Sequence, residues 1–201
     1  MTTYSLLLKE ELNKIKSEGR VPRLLLHSCC APCSSYVLSY LTEYFDIVLF
    51  YYNPNISPFD EYKKRVEEQK RLLSEMPFKH KVEFAEGRYD HERFLELIKG
   101  LEEAPEGGDR CTVCFRMRLE EALNTAKEHE CDYFTTTLSV SPHKSAEKLN
   151  TIGLNVAEGE DVKFLFSDFK KNEGYKKSIE LSKQYNLYRQ NYCGCVFSKK
   201  D

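Results

Sequence analysis

The chain has no tryptophan, no apolar run approaching the roughly 20 residues that a spanning helix needs, and almost no net charge. Thirty basic against 32 acidic residues leave a formal charge of −2, so an anionic partner must be held by a local patch rather than by the field of the whole molecule. A mean hydropathy of −0.57, with 41% hydrophobic and 31% charged residues, excludes a membrane protein and argues against wholesale disorder. Residues 1–11 carry no basic stretch ahead of their leucines, so the expected location is cytoplasmic rather than secreted. No G-x-G-x-x-G or G-x-x-x-x-G-K-[ST] loop occurs, and Gly107-Gly108 is too short to cradle a phosphate, so nucleotide hydrolysis lacks its usual loop. Without an internal repeat, low-complexity tract or linker, the 201 residues suit one α/β domain over 1–201.

What the chain does have is alternation. Helical spacing over residues 4–16, with Gly19 as a stop, precedes a compact apolar strand over 21–27. Small residues at 28–35 lead to a helix over 36–44, and DIVLFYY at 46–52 is a second strand. Ser57 is placed to cap the next helix, with Pro58 at its first position and Tyr62, Val66, Gln69 and Leu73 along one face. There follow a short strand over 81–84, a helix over 90–99 and a long helix over 111–130. DYFTTTL at 132–138 is a fourth strand, Ser141-Pro142 opens a helix to 156, and a strand over 162–166 and a helix over 174–185 precede a tail at 188–198. This order predicts a three-layer α/β domain with a mostly parallel sheet and right-handed crossovers. Ligands of such folds sit beyond the carboxyl ends of strands, where residues 29–33 follow the first strand and 139–144 follow the fourth.

Eight cysteines are the loudest signal, and seven are clustered: Cys29, Cys30 and Cys33; Cys111 and Cys114; Cys193 and Cys195. In a chain expected to stay in a reducing compartment, such spacing points to metal or redox chemistry rather than to disulfides. Thiolates select zinc, copper(I) or iron–sulfur clusters, and seven exceed one site. Four suffice for a [4Fe-4S] cluster, leaving three for a second metal with an open position. Adjacent side chains on an extended or sharply turned backbone diverge, so Cys29 and Cys30 suit two centres or a bridge. A zinc knuckle with ordinary core cysteines is the competing reading. Cys131, alone at a strand entrance, is assigned to the core.

His27 and His143 lie beside strand ends, His27 as a core or supporting residue and His143 as a proton-donor candidate. His80, His91 and His129 read as solvent-facing. Residues 163–201 hold nine Lys/Arg against four Asp/Glu, which makes the last fifth of the chain its electropositive end. There Asp168-Phe169-Lys170-Lys171 and Tyr188-Arg189-Gln190-Asn191-Tyr192 combine charge, aromatic faces and amides in a mixture suited to a flipped nucleobase, although lysines on an exposed helix would look the same.

The segments LLLHSCCAPCSSYVL, GDRCTVCFRMRL, FTTTLSVSPHKS, FSDFKKNEGYKKS and YRQNYCGCVFS together resemble the cobalamin-independent epoxyqueuosine reductase family over residues 21–198. The resemblance implies a sheet like that of the adenine nucleotide α-hydrolase and PP-loop proteins, with cysteines where those proteins bind phosphates. It implies reduction of epoxyqueuosine to queuosine at the tRNA wobble position, with a [4Fe-4S] cluster and no cobalamin. All seven clustered cysteines match the family's metal-binding motifs, and the assigned catalytic set is His143, Arg189 and Asp168. The reaction needs two electrons and two protons and releases water. It therefore calls for an external electron donor, with an additional adjacent iron to bind the epoxide oxygen. A sulfur transferase of the PP-loop kind would use similar cysteines but would want an ATP loop, and a zinc-stabilised RNA-binding module would need only four thiolates.

Overall fold

The computed structural model describes residues 3–199. Helix α1 (Tyr4–Glu18) starts on Thr3, whose hydroxyl accepts the Leu6 N–H, and stops at Gly19, which takes φ 67° and donates its N–H to the Lys16 carbonyl. Strands β1 (Arg23–His27), β2 (Asp46–Tyr51), β3 (Val82–Glu86), β4 (Tyr133–Thr136) and β5 (Lys163–Phe164) form one sheet in the order β3-β2-β1-β4-β5, every pair parallel. Between and after them run α2 (Ala31–Leu41), α3 (Phe59–Glu75), α4 (His91–Leu97), α5 (Asp109–Glu128), α6 (Ala146–Val156) and α7 (Gly174–Gln184). This is the expected three-layer parallel α/β architecture.

Alternate residues of a strand point to opposite faces, and β1 feeds two cores in that way. Leu25 joins Phe115, Leu119 and Ala122 of α5 and Leu149 of α6. Leu24 and Leu26 join Leu12 and Ile15 of α1 and Val37, Leu38 and Leu41 of α2. Burial on both faces is why β1 and β2 read as unbroken apolar runs instead of alternating ones. Each of these fully buried leucines stabilises the fold by about 2 kcal/mol. The chain leaves β1 for β2 and β3 on one side and returns to β4 on the other, so the sheet switches direction at the carboxyl ends of β1 and β4.

Departures from the sequence reading collect at this end. Helix α2 begins at Ala31 rather than 36, because Pro32 fits a first helical turn, and so Cys33 is helical. Ser57 caps nothing. Pro58 is the N-cap of α3, and the Ser57 backbone instead grips the tail, donating to the Gly194 carbonyl at 3.0 Å and accepting the Tyr192 hydroxyl at 3.3 Å. Residues 137–140 form a 3-10 turn where the fourth strand was expected to continue. Pro142 keeps Ser141 extended (ψ 130°), so α6 starts later, on Ser145, whose hydroxyl accepts the Lys148 N–H at 3.2 Å. Strand β5 shortens to the two residues that pair with Tyr133 and Phe134.

Candidate functional site

Two cysteine motifs occupy helix starts. Cys30 is the N-cap of α2 and Cys33 lies in its first turn, while Cys111 lies in the first turn of α5 after the N-cap Gly108. Free N–H groups and the helix dipole favour anions there, so thiolates gain what phosphates gain in nucleotide-binding folds. The sulfurs of Cys29, Cys30 and Cys33 all lie within 4.8 Å of one another, with Cys29 Sγ and Cys30 Sγ 3.9 Å apart. Metal–sulfur bonds of about 2.3 Å at tetrahedral angles set sulfurs about 3.8 Å apart, so this spacing fits three ligands of one ion. It corrects the expectation that Cys29 and Cys30 diverge. The backbone bends at Cys29 and is extended at Cys30, between β1 and α2, and across that turn the two neighbouring sulfurs meet.

Thr137, just past β4 across the switch point, holds Cys29 twice. Its hydroxyl accepts the Cys29 N–H at 3.0 Å and donates to Cys29 Sγ at 3.3 Å. Hydrogen bonds from Cys30 and Cys33 hold the Cys29 thiol well below its ordinary value despite burial, and Thr137 and the Lys144 charge act in the same direction. Cys30, bonded to Cys29, is pushed up to about 12, and Cys33 is raised well above the usual thiol range by the same pair of neighbours.

This triad opens on a cavity of about 370 Å³ that is also lined by Tyr175, Arg189, Asn191 and Tyr192. Cys111, Cys114, Cys193 and Cys195 line a second, narrow cavity of about 20 Å³. Glu106, Arg118, His143, Lys144 and Cys193 face both, so the two sulfur sets share a wall. Among the described residues no three of the latter four cysteines approach as closely as the triad does. A wider all-sulfur set suits a multi-iron cluster, and a tight one suits a single ion. Burial raises the Cys114 thiol and pushes Cys195 up to about 11.

The tail reaches the site because α3 holds it. Arg65, itself paired with Glu61 at 2.7 Å, donates to the Cys193 carbonyl at 3.2 Å, and Asn55 donates to the same oxygen at 3.4 Å. Glu68 accepts the Tyr188 N–H at 2.6 Å, Glu61 accepts the Tyr188 hydroxyl at 3.2 Å, and the Lys64 ammonium lies 3.4 Å from the Tyr188 ring centre. Between the two cysteines, Gly194 has φ +106°, and a Cβ there would meet Ile56 Cγ1 at 2.6 Å and Arg65 Nη1 at 3.1 Å. Only glycine satisfies both the backbone and the contact.

Of the catalytic candidates, His143 and Arg189 line the larger cavity, both exposed, with Arg189 Nη1 donating to Ser182 Oγ at 3.1 Å. Asp168 is not brought there. It lines a groove with residues of α1, α2 and α7, and pairs with Lys170 at 2.9 Å. His27 is wholly buried between Thr136 Oγ1 at 2.8 Å and the Tyr52 carbonyl at 3.0 Å, so Nε2 carries its proton. Burial lowers it to about 4, which makes it a neutral structural group. His80, His91 and His129 are half-buried rather than solvent-facing, and His91 gives its Nδ1–H to the Pro54 carbonyl at 2.7 Å. Cys131 packs in the core, lines neither cavity, and is pushed up to about 11 by burial. Sequence reasoning missed Arg65 and Arg118. The second had a signal: Cys111, Cys114 and Arg118 recur at i, i+3 and i+7, one face of α5.

No helix among the described residues is long and apolar enough to cross a membrane. A family model described as Epoxyqueuosine reductase QueH matches residues 24–201. Proteins bearing that name share 45% identity with this chain in Staphylococcus epidermidis, over 97% of the chain and 84% of the relative, and 42% in Streptococcus pyogenes serotype M1, over 98% and 78%. One from Thermotoga maritima is 36% identical over 87% of this chain and 89% of its own. A match that takes in all seven clustered cysteines, and relatives this similar over nearly the whole length, show that the chain belongs to the epoxyqueuosine reductase QueH family.

Proposed function

We propose that this protein reduces the epoxide of epoxyqueuosine at the wobble position of tRNA to the alkene of queuosine. The observation that carries the reading is the juxtaposition of two sulfur sets across one shared wall at the sheet's switch point. Cys111, Cys114, Cys193 and Cys195 would hold a [4Fe-4S] cluster, and Cys29, Cys30 and Cys33 an additional adjacent iron. The donor chemistry fits, since both sets offer soft sulfur and each has cysteines in the first turns of a helix. When bound, such a centre supplies electrons one at a time from an external donor and a Lewis-acidic position for oxygen.

The rest falls to the chain. A cavity of about 370 Å³ is of the size that takes one modified base. Tyr175 and Tyr192 offer faces for stacking, Asn191 an amide for the base edge, and Arg189 a guanidinium for a flanking phosphate. His143, at the junction of the two cavities, is placed to give a proton to the departing oxygen, and Lys144 beside it to steady the negative charge that develops there. Asp168 takes no catalytic part in this reading. A tRNA substrate puts the reaction in the cytoplasm.

The test is nucleoside mass analysis after incubating anaerobically prepared protein and a strong one-electron reductant with epoxyqueuosine-containing tRNA. Queuosine should form without cobalamin or ATP, from brown protein carrying acid-labile sulfide and more iron than one four-iron cluster requires. Zinc without sulfide, or ATP-dependent sulfur insertion into another base, would replace this reading with one of its rivals.

A further inference from the structure

Three arginines are buried, Arg65, Arg110 and Arg118, at 2%, 2% and 3% exposure. A guanidinium taken out of water needs an answer to its charge and to its five N–H donors. Arg65 has Glu61 and the Cys193 carbonyl. Arg110 sits among the carbonyls of Leu101, Glu102, Ala104 and Phe197. Arg118 has neither arrangement. Among the described residues no carboxylate pairs with it. Its Nη1 donates to the Asn53 side-chain oxygen at 3.0 Å and its Nε to the Cys114 carbonyl at 3.4 Å, the Cys114 thiol is within its reach, and among the described residues no oxygen accepts from Nη2.

Sulfur from both sets lies around this cation. The thiols of Cys114, Cys29 and Cys193 lie within its electrostatic reach, so its charge acts on both sulfur sets, and it lines both cavities. It is also held in place. Asn53, which accepts from Nη1, donates in turn to the Ser28 carbonyl at 2.8 Å, just ahead of Cys29, and the Phe115 ring lies 6.0 Å from the guanidinium carbon. A side chain anchored at one end of its fork and open at the other is arranged to present donors to whatever the cavities hold.

Resting on the metal reading given above, we propose that Arg118 is a positioning residue that serves as the shared counter-cation of the two sulfur sets, donating from Nη2 toward their sulfurs and favouring the reduced state of the cluster. A fixed positive charge stabilises the form of a neighbouring redox centre that carries one more electron, and so raises its midpoint potential. A merely structural arginine would affect unfolding and leave the potential alone.

The experiment compares anaerobically loaded wild-type, Arg118→Met and Arg118→Lys proteins by redox titration read through electron paramagnetic resonance, with iron and sulfide analysis of each. At the wild-type midpoint, the methionine variant should hold a reduced-to-oxidised ratio lower by about tenfold, which is about 59 mV for one electron, and lysine should recover most of it. Loss of iron and sulfide from the methionine variant but not from the lysine variant supports the same role, as a charge required for assembly. Equal potentials in all three proteins would overturn the proposal, and so would equal loss of iron from both variants, since shape rather than charge would then be what the site needs. Wild-type protein with neither iron nor sulfide would instead overturn the metal reading itself, a failure seen before any variant is made.

Discussion

The turn from β1 into α2 and the C-terminal tail each deliver cysteines to one site by opposite means. The turn is built where it is needed: Cys29, Cys30 and Cys33 lie at the end of a buried central strand and the start of a buried helix, and three sulfurs meet within 4.8 Å with little outside help beyond Thr137. The tail has, among the described residues, a single 3-10 turn at residues 196–198, and owes its place to Arg65, Glu68 and Glu61 of α3 and to the close fit of Gly194. A ligand set rooted in the sheet tolerates surface change, whereas one held by borrowed side chains fails when any of them is removed.

The largest effect expected is on metal itself. Alanine at Cys111 or Cys114 should abolish the cluster, while Cys131→Ala should leave iron and sulfide nearly intact, and elemental analysis of all three distinguishes them. Equal losses would erase the partition between site and core cysteines. Next in size is Arg65→Ala, which strands the half-buried Glu61 and frees the tail. It should cost about 3–5 kcal/mol in denaturant unfolding, and iron bound through Cys193 and Cys195 should go with it. Gly194→Ala should be milder in stability, about 1–3 kcal/mol, yet selective: the cluster should weaken while the Cys29, Cys30 and Cys33 set keeps its metal. If both sets lose metal together, the tail and the turn are one unit rather than two.

Smaller still are the changes at the rim. Arg189 is exposed and makes one hydrogen bond, so Arg189→Ala should shift stability by no more than about 0.5 kcal/mol while lowering turnover at least about tenfold. A fall in stability with turnover unchanged would make it a prop for the tail. Neutralising Lys170, Lys171, Lys176 and Lys177 should reduce the salt dependence of tRNA binding by about 0.7–0.9 in slope for each phosphate that is no longer neutralised. An unchanged slope would place the nucleic acid on another face.

Much of this was legible in the amino-acid order because it is local. Unbroken apolar runs marked the strands buried on both faces, and Gly19 marked the end of α1. Cysteines after the first strand and at the head of the long helix marked the end of the sheet where the two adjoining cavities lie. These signals live in spacings of one to four residues, which backbone geometry converts directly into faces and ends. Pairing across the chain has no such signature. That Thr137 would hold Cys29 over a separation of 108 residues, that Arg65 would hold Cys193 over 128, and that Asp168 would face a different groove from Arg189 were decided only when the sheet formed and its two sides closed. Arg118 shows the division most clearly. Its place on the cysteine face of α5 follows from the 3.6-residue period, but its lack of a paired carboxylate among the described residues, and hence the charge it leaves to the sulfurs, exists only in the folded molecule, where burial removes most of the water that would otherwise answer it.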